Sequence, residues 1–236
     1  MRGPTSTPSF HLRTGSWLRP AGIAACVLLA AVFAGLAALA SGHAYFAGDL
    51  WISHHLQRID TPVFSRPVDF AEGLATWPQA GAIAGAAVVG ASIARRRSEV
   101  LLLALALAGS AINSEVKALV GRPRPAASLV HVVGHPSGMA FPSGHTTTAT
   151  LVFGLIFFLS VECLPRGRPR FAVQAFCLYA IVFTGLARIY HGAHWASDVY
   201  GSLLLGVLVL GAVVALYRRA RALRTRGEAE AHGAAD

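Results

Sequence analysis

Residues 197–217 read SDVYGSLLLGVLVLGAVVALY, and Arg218, Arg219 and Arg221 follow directly. A helix of about 20 such residues, rising about 1.5 Å per residue, is long enough to cross a bilayer's hydrocarbon core. Working outward from this segment, five more stretches have that character: Ala21–Ser41, Leu74–Ala94, Val100–Val120, Thr146–Cys163 and Phe171–Ile189. The third of the six spans is the least clean, since Asn113, Glu115 and Lys117 fall in its second half. The apolar run of Ala21–Ser41 exceeds the ~7–15 residues of a signal-peptide core, so it reads as an uncleaved span. The expectation is an all-α, polytopic membrane protein built as a six-transmembrane-helix bundle.

Composition agrees. Of 236 residues, 54% are hydrophobic and 13% charged, about half the ~25% charge of a soluble domain. A net charge of +9 would suit a nucleic-acid binder, but the basic residues lie in short clusters between apolar runs, so no nucleic-acid partner is expected. Nineteen of the 20 basic residues are arginine and one is Lys117; with so much Ala and Gly, that bias points to a GC-rich bacterial genome. Cys26, Cys163 and Cys177 have no paired spacing and read as small apolar packing residues.

Arginine placement sets the topology. Arg2, Arg13 and Arg19 precede the first span. Arg95–Arg97 separate the second and third, Arg166, Arg168 and Arg170 the fourth and fifth, and Arg218, Arg219, Arg221, Arg224 and Arg226 follow the sixth. If six spans alternate, these 14 residues share one side, which the positive-inside rule makes cytoplasmic. Both termini are then cytoplasmic: residues 1–20 form an N-terminal segment, 21–217 the membrane domain, and 218–236 a basic tail, disordered from Gly227. On the other side, Leu50–Leu56 reads as an interfacial amphipathic helix with Trp51 at headgroup level.

The few outer basic residues need another explanation. In the first element, Lys117-Ala-Leu-Val-Gly-Arg-Pro-Arg124-Pro125, prolines force the chain out of helical geometry and hold an ammonium and a guanidinium at the outer face. They are open to reading as snorkelling anchors or as a phosphate grip. In the second, Phe141-Pro142-Ser143-Gly144-His145, Ser143 is a plausible N-cap, Gly144 allows close approach of a backbone N–H, and His145 falls in the first turn. In the third, Arg188 ends the fifth span, and His194 and Asp198 lie one helical turn apart. A carboxylate beside an imidazole fixes its tautomer and leaves the other ring nitrogen a better base or nucleophile. Each element alone also fits a structural role. Their convergence on one membrane face is what anchors do not predict.

Together these elements resemble the three-part signature of the type 2 phosphatidic acid phosphatase superfamily, integral-membrane lipid phosphate phosphatases: K-x6-R-P, P-S-G-H and S-R-x5-H-x3-D. Here Ala187 stands where the family has serine. The resemblance covers roughly residues 50–217 and implies a metal-independent phosphoric ester or pyrophosphate hydrolase without a cofactor. It implies His194 as nucleophile, forming a phosphohistidine. Asp198 would orient it, and His145 would act as acid and then base. Lys117, Arg124 and Arg188 would bind the phosphate oxygens with Ser143 and the Gly144 N–H. The implied substrate is a lipid phosphate at the extracytoplasmic face of the inner membrane, among them undecaprenyl pyrophosphate, phosphatidate, phosphatidylglycerol phosphate and lipid A phosphate. The alternatives are a lipid phosphotransferase using the same site and a non-catalytic membrane transporter or binding protein. Arg122 reads either as a phosphate contact or as a surface charge, His191 as polar loop filler, and Trp195 as an interfacial anchor.

Overall fold

Pro20–Gly42 contains no charged residue and no interior proline, so nothing in it competes with helix formation, and it forms α1. The chain then turns into α2 (Ala47–Gln57) and α3 (Pro62–Ala75), the latter starting on a proline at a position where no intrahelical N–H is needed. Residues 111–120 are helical, and Pro123 and Pro125 lie in the irregular stretch that follows. Three long helices complete the chain: α4 (Gly144–Cys163), α5 (Arg168–Tyr190) and α6 (Ala196–Gly233). This computed structural model describes residues 20–76, 79, 81–83, 85, 86, 109 and 111–233. Among them there are no strands. Of the expected second span twelve of 21 residues, and of the third ten of 21, lie outside the described residues.

Among the described residues, four helices are long and apolar enough to cross a membrane: Pro20–Gly42, Gly144–Cys163, Arg168–Tyr190 and the first part of α6, Ala196–Ala220. They match the expected first, fourth, fifth and sixth spans. Their outer faces are apolar: Val27, Leu28, Phe171, Val182 and Leu216 are all exposed. That is costly in water and natural against lipid tails. α6 continues through Gly233, well into the tail that the sequence reading leaves without structure.

The core lies along α4, which packs on both α5 and α6. Leu151 and Leu155 of α4 meet Val213 and Tyr217 of α6, while Ala149 and Phe153 meet Cys177 and Ala180 of α5 and Ala75 of α3. Close approach of α6 to the segment before α4 requires Gly201, where a Cβ would come within 2.4 Å of the Phe141 ring. Because α4 and α5 run in opposite directions, His145 and Arg188 share one end of the bundle, and Arg166, Arg168 and Arg170 lie at the other.

α2 forms a helix where the sequence predicts one, over Leu50–Leu56, and it lies against the ends of α5 and α6 with Trp51 exposed. Two expectations fail. Trp195 is no interfacial anchor: it is fully buried, with Tyr45 5.3 Å away ring to ring. Of the cysteines only Cys177 is buried in the core, while Cys26 and Cys163 are exposed.

Candidate functional site

The start of α4 supplies the first wall. Ser143 occupies the N-cap position in extended conformation, as expected, but its hydroxyl does not cap the helix and instead accepts from Thr146 Oγ1 at 3.1 Å. The helix thus starts without a side-chain cap, and the positive end of its dipole faces the site. Gly144 follows, with Lys117 beside it: a Cβ there would lie 3.9 Å from Lys117 Cε. Lys117, Gly144 and His145 line a cavity of about 170 Å³ that continues along Asn113, Ser114, Thr148 and Ala75.

Two cations are held by backbone carbonyls. Lys117 Nζ donates to Met139 O at 2.7 Å, and Arg124 Nε donates to Gly138 O at 3.0 Å. Both carbonyls belong to Pro136-Ser137-Gly138-Met139, a partial repeat of the P-S-G-H motif without its histidine, which thus aims both cations. Arg124 Nη1 also donates to Ala193 O at 2.9 Å.

The third wall is the turn between α5 and α6. Gly192 takes φ +64°, a left-handed value that suits glycine. The turn closes when Ala193 N and His194 N donate to Arg188 O at 3.1 and 3.0 Å. That fixes the nucleophile candidate directly above the end of α5. Arg188 is buried, pairs with the Glu72 carboxylate, and leaves its Nε buried without a partner. His191, read as loop filler, is instead held by Glu72 on one ring nitrogen and by Asp69 at 3.0 Å on the other. For Glu72, burial alone would raise the pKa. The hydrogen bond from His191 and the charges of Arg188, His191 and His145 outweigh it and hold the carboxyl low. His191 moves the opposite way: its hydrogen bond to Glu72, aided by the Glu72 and Asp69 charges, raises it against burial.

His194 is fully buried, its Nε2 lying 3.1 Å from Arg124 Nη1 and its Nδ1 3.6 Å from Asp198 Oδ2. A guanidinium only donates, so Nε2 accepts and the ring proton belongs on Nδ1, facing Asp198. At 3.6 Å that contact is longer than a hydrogen bond, and Nδ1 has no other partner. Burial first, then the charges of Arg124, Arg188, Lys117 and His145, hold His194 well below the ordinary histidine range. The result is a neutral imidazole whose Nε2 lone pair faces a cationic pocket and is engaged by Arg124. Asp198 is anchored by Trp195 N at 2.9 Å on Oδ2 and by Arg122 Nη1 at 2.6 Å on Oδ1. Its backbone carbonyl accepts from Ser143 N at 3.4 Å, tying the start of α6 to the start of α4.

All eight sequence-derived site residues thus gather at one end of the bundle. Sequence reasoning missed Glu72, His191, Arg122 and Asp49. The signal for Glu72 was available: Asp69 and Glu72 are spaced three apart on a helix, so they share a face, in a chain with few acids. Arg122 is neither a surface charge nor free to meet phosphate, since it is fully buried with both carboxylates it touches.

The profile of the PAP2 superfamily matches residues 99–222. Phosphatidylglycerophosphatase B of Bacillus subtilis is 34% identical over 100 residues, 42% of this chain and 47% of that protein. A lipid A 1-phosphatase of Porphyromonas gingivalis is 34% identical over 107 residues, 45% of this chain and 21% of that protein. The chain spans less than half the length of these curated relatives. A crystal structure of a transmembrane PAP2-type phosphatidylglycerolphosphate phosphatase from Bacillus subtilis superposes with a TM-score of 0.72 at 25% identity, covering 82% of this chain and 96% of that one.

Proposed function

Because the chain belongs to the PAP2 superfamily, we propose that it hydrolyses a phosphate ester or pyrophosphate carried on a membrane lipid. The observation that carries this reading is His194: a buried, neutral imidazole with Nε2 turned toward Arg124 and a carboxylate behind Nδ1. The Nε2 lone pair attacks phosphorus while the bond to the leaving oxygen breaks and His145 gives that oxygen a proton. His145 then takes a proton from water as the water oxygen displaces His194 from phosphorus. Asp198 stabilises the cationic ring between the two steps. Lys117, Arg124, Arg188, the Ser143 hydroxyl and the Gly144 N–H hold the non-bridging oxygens, and phosphoryl transfer needs little beyond such positioning and charge. Here the side-chain cations balance the phosphate charge without a metal.

The full architecture belongs to the same proposal: six spans over residues 21–217, residues 1–20 and 218–236 cytoplasmic, and the site on the extracytoplasmic side of the inner membrane. The placement of His145 and Arg188 at the end of the bundle away from the Arg166–Arg170 cluster supports it. The test is a panel of phosphatidylglycerol phosphate, undecaprenyl pyrophosphate, phosphatidate and lipid A offered to detergent-purified protein, with phosphate release as readout. His145→Ala serves as the blank. Release from at least one lipid is expected, together with a phosphoenzyme that His194→Ala abolishes. A wild-type protein inert on all four sinks the reading.

A further inference from the structure

Behind the proposed catalytic pair lies a second charged assembly that the reaction scheme does not use. Arg122 has no exposed surface. Its Nη1 donates to Asp198 Oδ1 at 2.6 Å and to Ser197 Oγ at 2.7 Å, its Nη2 to Asp49 Oδ2 at 2.9 Å, and its Nε to His43 O at 3.2 Å. The guanidinium carbon also lies 4.7 Å from the Phe46 ring centroid. Asp49 is equally committed. Its Oδ2 accepts from Phe46 N at 3.0 Å and Ser197 Oγ at 2.7 Å, and its Oδ1 from Ser197 N at 2.8 Å. A carboxylate surrounded only by donors has the pattern of the ionised form.

Two consequences follow from charge and geometry. First, the planar fork of Arg122 spans two carboxylates at once, which a lysine ammonium on a flexible stem does poorly. It therefore fixes the rotation of the Asp198 carboxylate, and with it the Oδ2 that faces His194. Second, Arg122 with Asp198 alone is a neutral pair. Adding Asp49 makes one cation and two anions, a net charge of one negative. That charge is needed because Lys117, Arg124 and Arg188 all oppose positive charge on His194.

We infer that Arg122 and Asp49 are positioning residues for the Asp198–His194 pair: Arg122 orients Asp198, and Asp49 keeps the buried assembly net negative, so that His194 can carry a positive charge while bonded to phosphorus. The inference rests on the reading of His194 as nucleophile. It gives α2, otherwise an interfacial helix, a role in the chemistry through Asp49.

The test compares Asp49→Asn, which keeps the shape and loses the charge, with Asp49→Glu, which keeps the charge and changes the shape. Both are assayed on the same four lipids in detergent micelles. Asp49→Asn is expected to lower kcat about 10- to 100-fold, as loss of an outer-shell partner does, with KM within about threefold. Asp49→Glu retains more kcat than Asp49→Asn. Gln57→Ala is the structural control, since Gln57 ties α2 to His131 O and Tyr190 O and touches none of the three charges. It should lower thermal stability and spare kcat. Arg122→Lys keeps the charge and loses the fork, so a kcat loss of about tenfold or more is expected, and this arm stands even if Asp49→Asn does not fold. The inference is overturned if Asp49→Asn is as active as Asp49→Glu, if Gln57→Ala loses as much kcat, or if Arg122→Lys turns over like wild type. Inert wild-type protein overturns the hydrolase reading itself, a different result from active wild type with indifferent variants.

Discussion

Arg124 donates through Nη1 to Nε2 of His194 across 3.1 Å, so a cation occupies the lone pair that attacks in the proposed reaction. Under the proposed mechanism, an arriving phosphate would draw Arg124 onto its own oxygens, and that same movement would free Nε2. In the proposed reaction Arg124 would thus couple phosphate binding to exposure of Nε2. Its carbonyl partners, Gly138 and Ala193, hold it beside His194. Arg124→Ala is expected to lower kcat/KM about 10²- to 10³-fold, the usual loss for one preorganised charge-stabilising donor. Arg124→Lys should restore part of this, since a point charge cannot reproduce the fork. Phosphate release by purified variants measures it, and an unchanged kcat/KM for Arg124→Ala removes Arg124 from the phosphate site.

His191, Glu72 and Asp69 predict the pH dependence of stability. The folded-state pKa of His191 is raised by its hydrogen bond to Glu72 and by the two carboxylate charges. Its contribution is therefore complete below the unfolded histidine value, about 6.5, and is lost as pH rises through the higher folded value. Thermal unfolding in detergent from about pH 6 to about pH 9 should show this as a falling alkaline limb. In His191→Gln that limb is flatter. Equal slopes in the two proteins would show that the imidazole carries no charge-dependent stabilisation.

The same cluster shows what a linear reading reaches and where it stops. The helices were legible because bilayer length is written directly into runs such as Ala21–Ser41 and Thr146–Cys163, and the described helices at those places follow. The gathering of Lys117, Arg124, His145, Arg188, His194 and Asp198 at one end was legible because alternating spans bring the ends of the fourth, fifth and sixth to two surfaces only. The partners of those residues were not legible. Glu72 meets Arg188 across 116 residues of chain, and Arg122 meets Asp49 across 73; no spacing rule reaches that far. Trp195 misled because an aromatic at a membrane edge commonly faces headgroups, whereas here the turn between α5 and α6 folds it inward against Tyr45.

A reaction that balances phosphate charge with Lys117, Arg124 and Arg188 needs no divalent ion. Phosphate release is expected to persist after incubation with EDTA and dialysis into metal-free buffer, at close to the untreated rate. A rate that collapses with EDTA and returns on adding magnesium or manganese would show that the side chains do not suffice. The proposed role of the three cations would then have to be shared with a metal.

Gly192 offers a test of how tightly the turn must be built. Its φ is +64°, and a Cβ there would stand 2.2 Å from the carbonyl oxygen of His131. The neighbouring His191 carbonyl accepts from Val133 N at 2.9 Å, so the two segments are stitched together at this point and cannot part cheaply. Gly192→Ala therefore meets two penalties, about 1–3 kcal/mol for the left-handed backbone and a further cost for the clash. The turn also carries Ala193 O, which holds Arg124, and His194 N, which is tied to Arg188 O. Destabilisation and loss of kcat should thus appear together in Gly192→Ala. In Gly134→Ala, where φ is +73° but nothing lies within 4 Å of the added carbon, only the backbone strain applies. Thermal unfolding and phosphate release on the two variants separate the effects. Gly192→Ala should be less stable than Gly134→Ala and also slower, and equal behaviour of the two would show that the contact with His131 does not constrain the site.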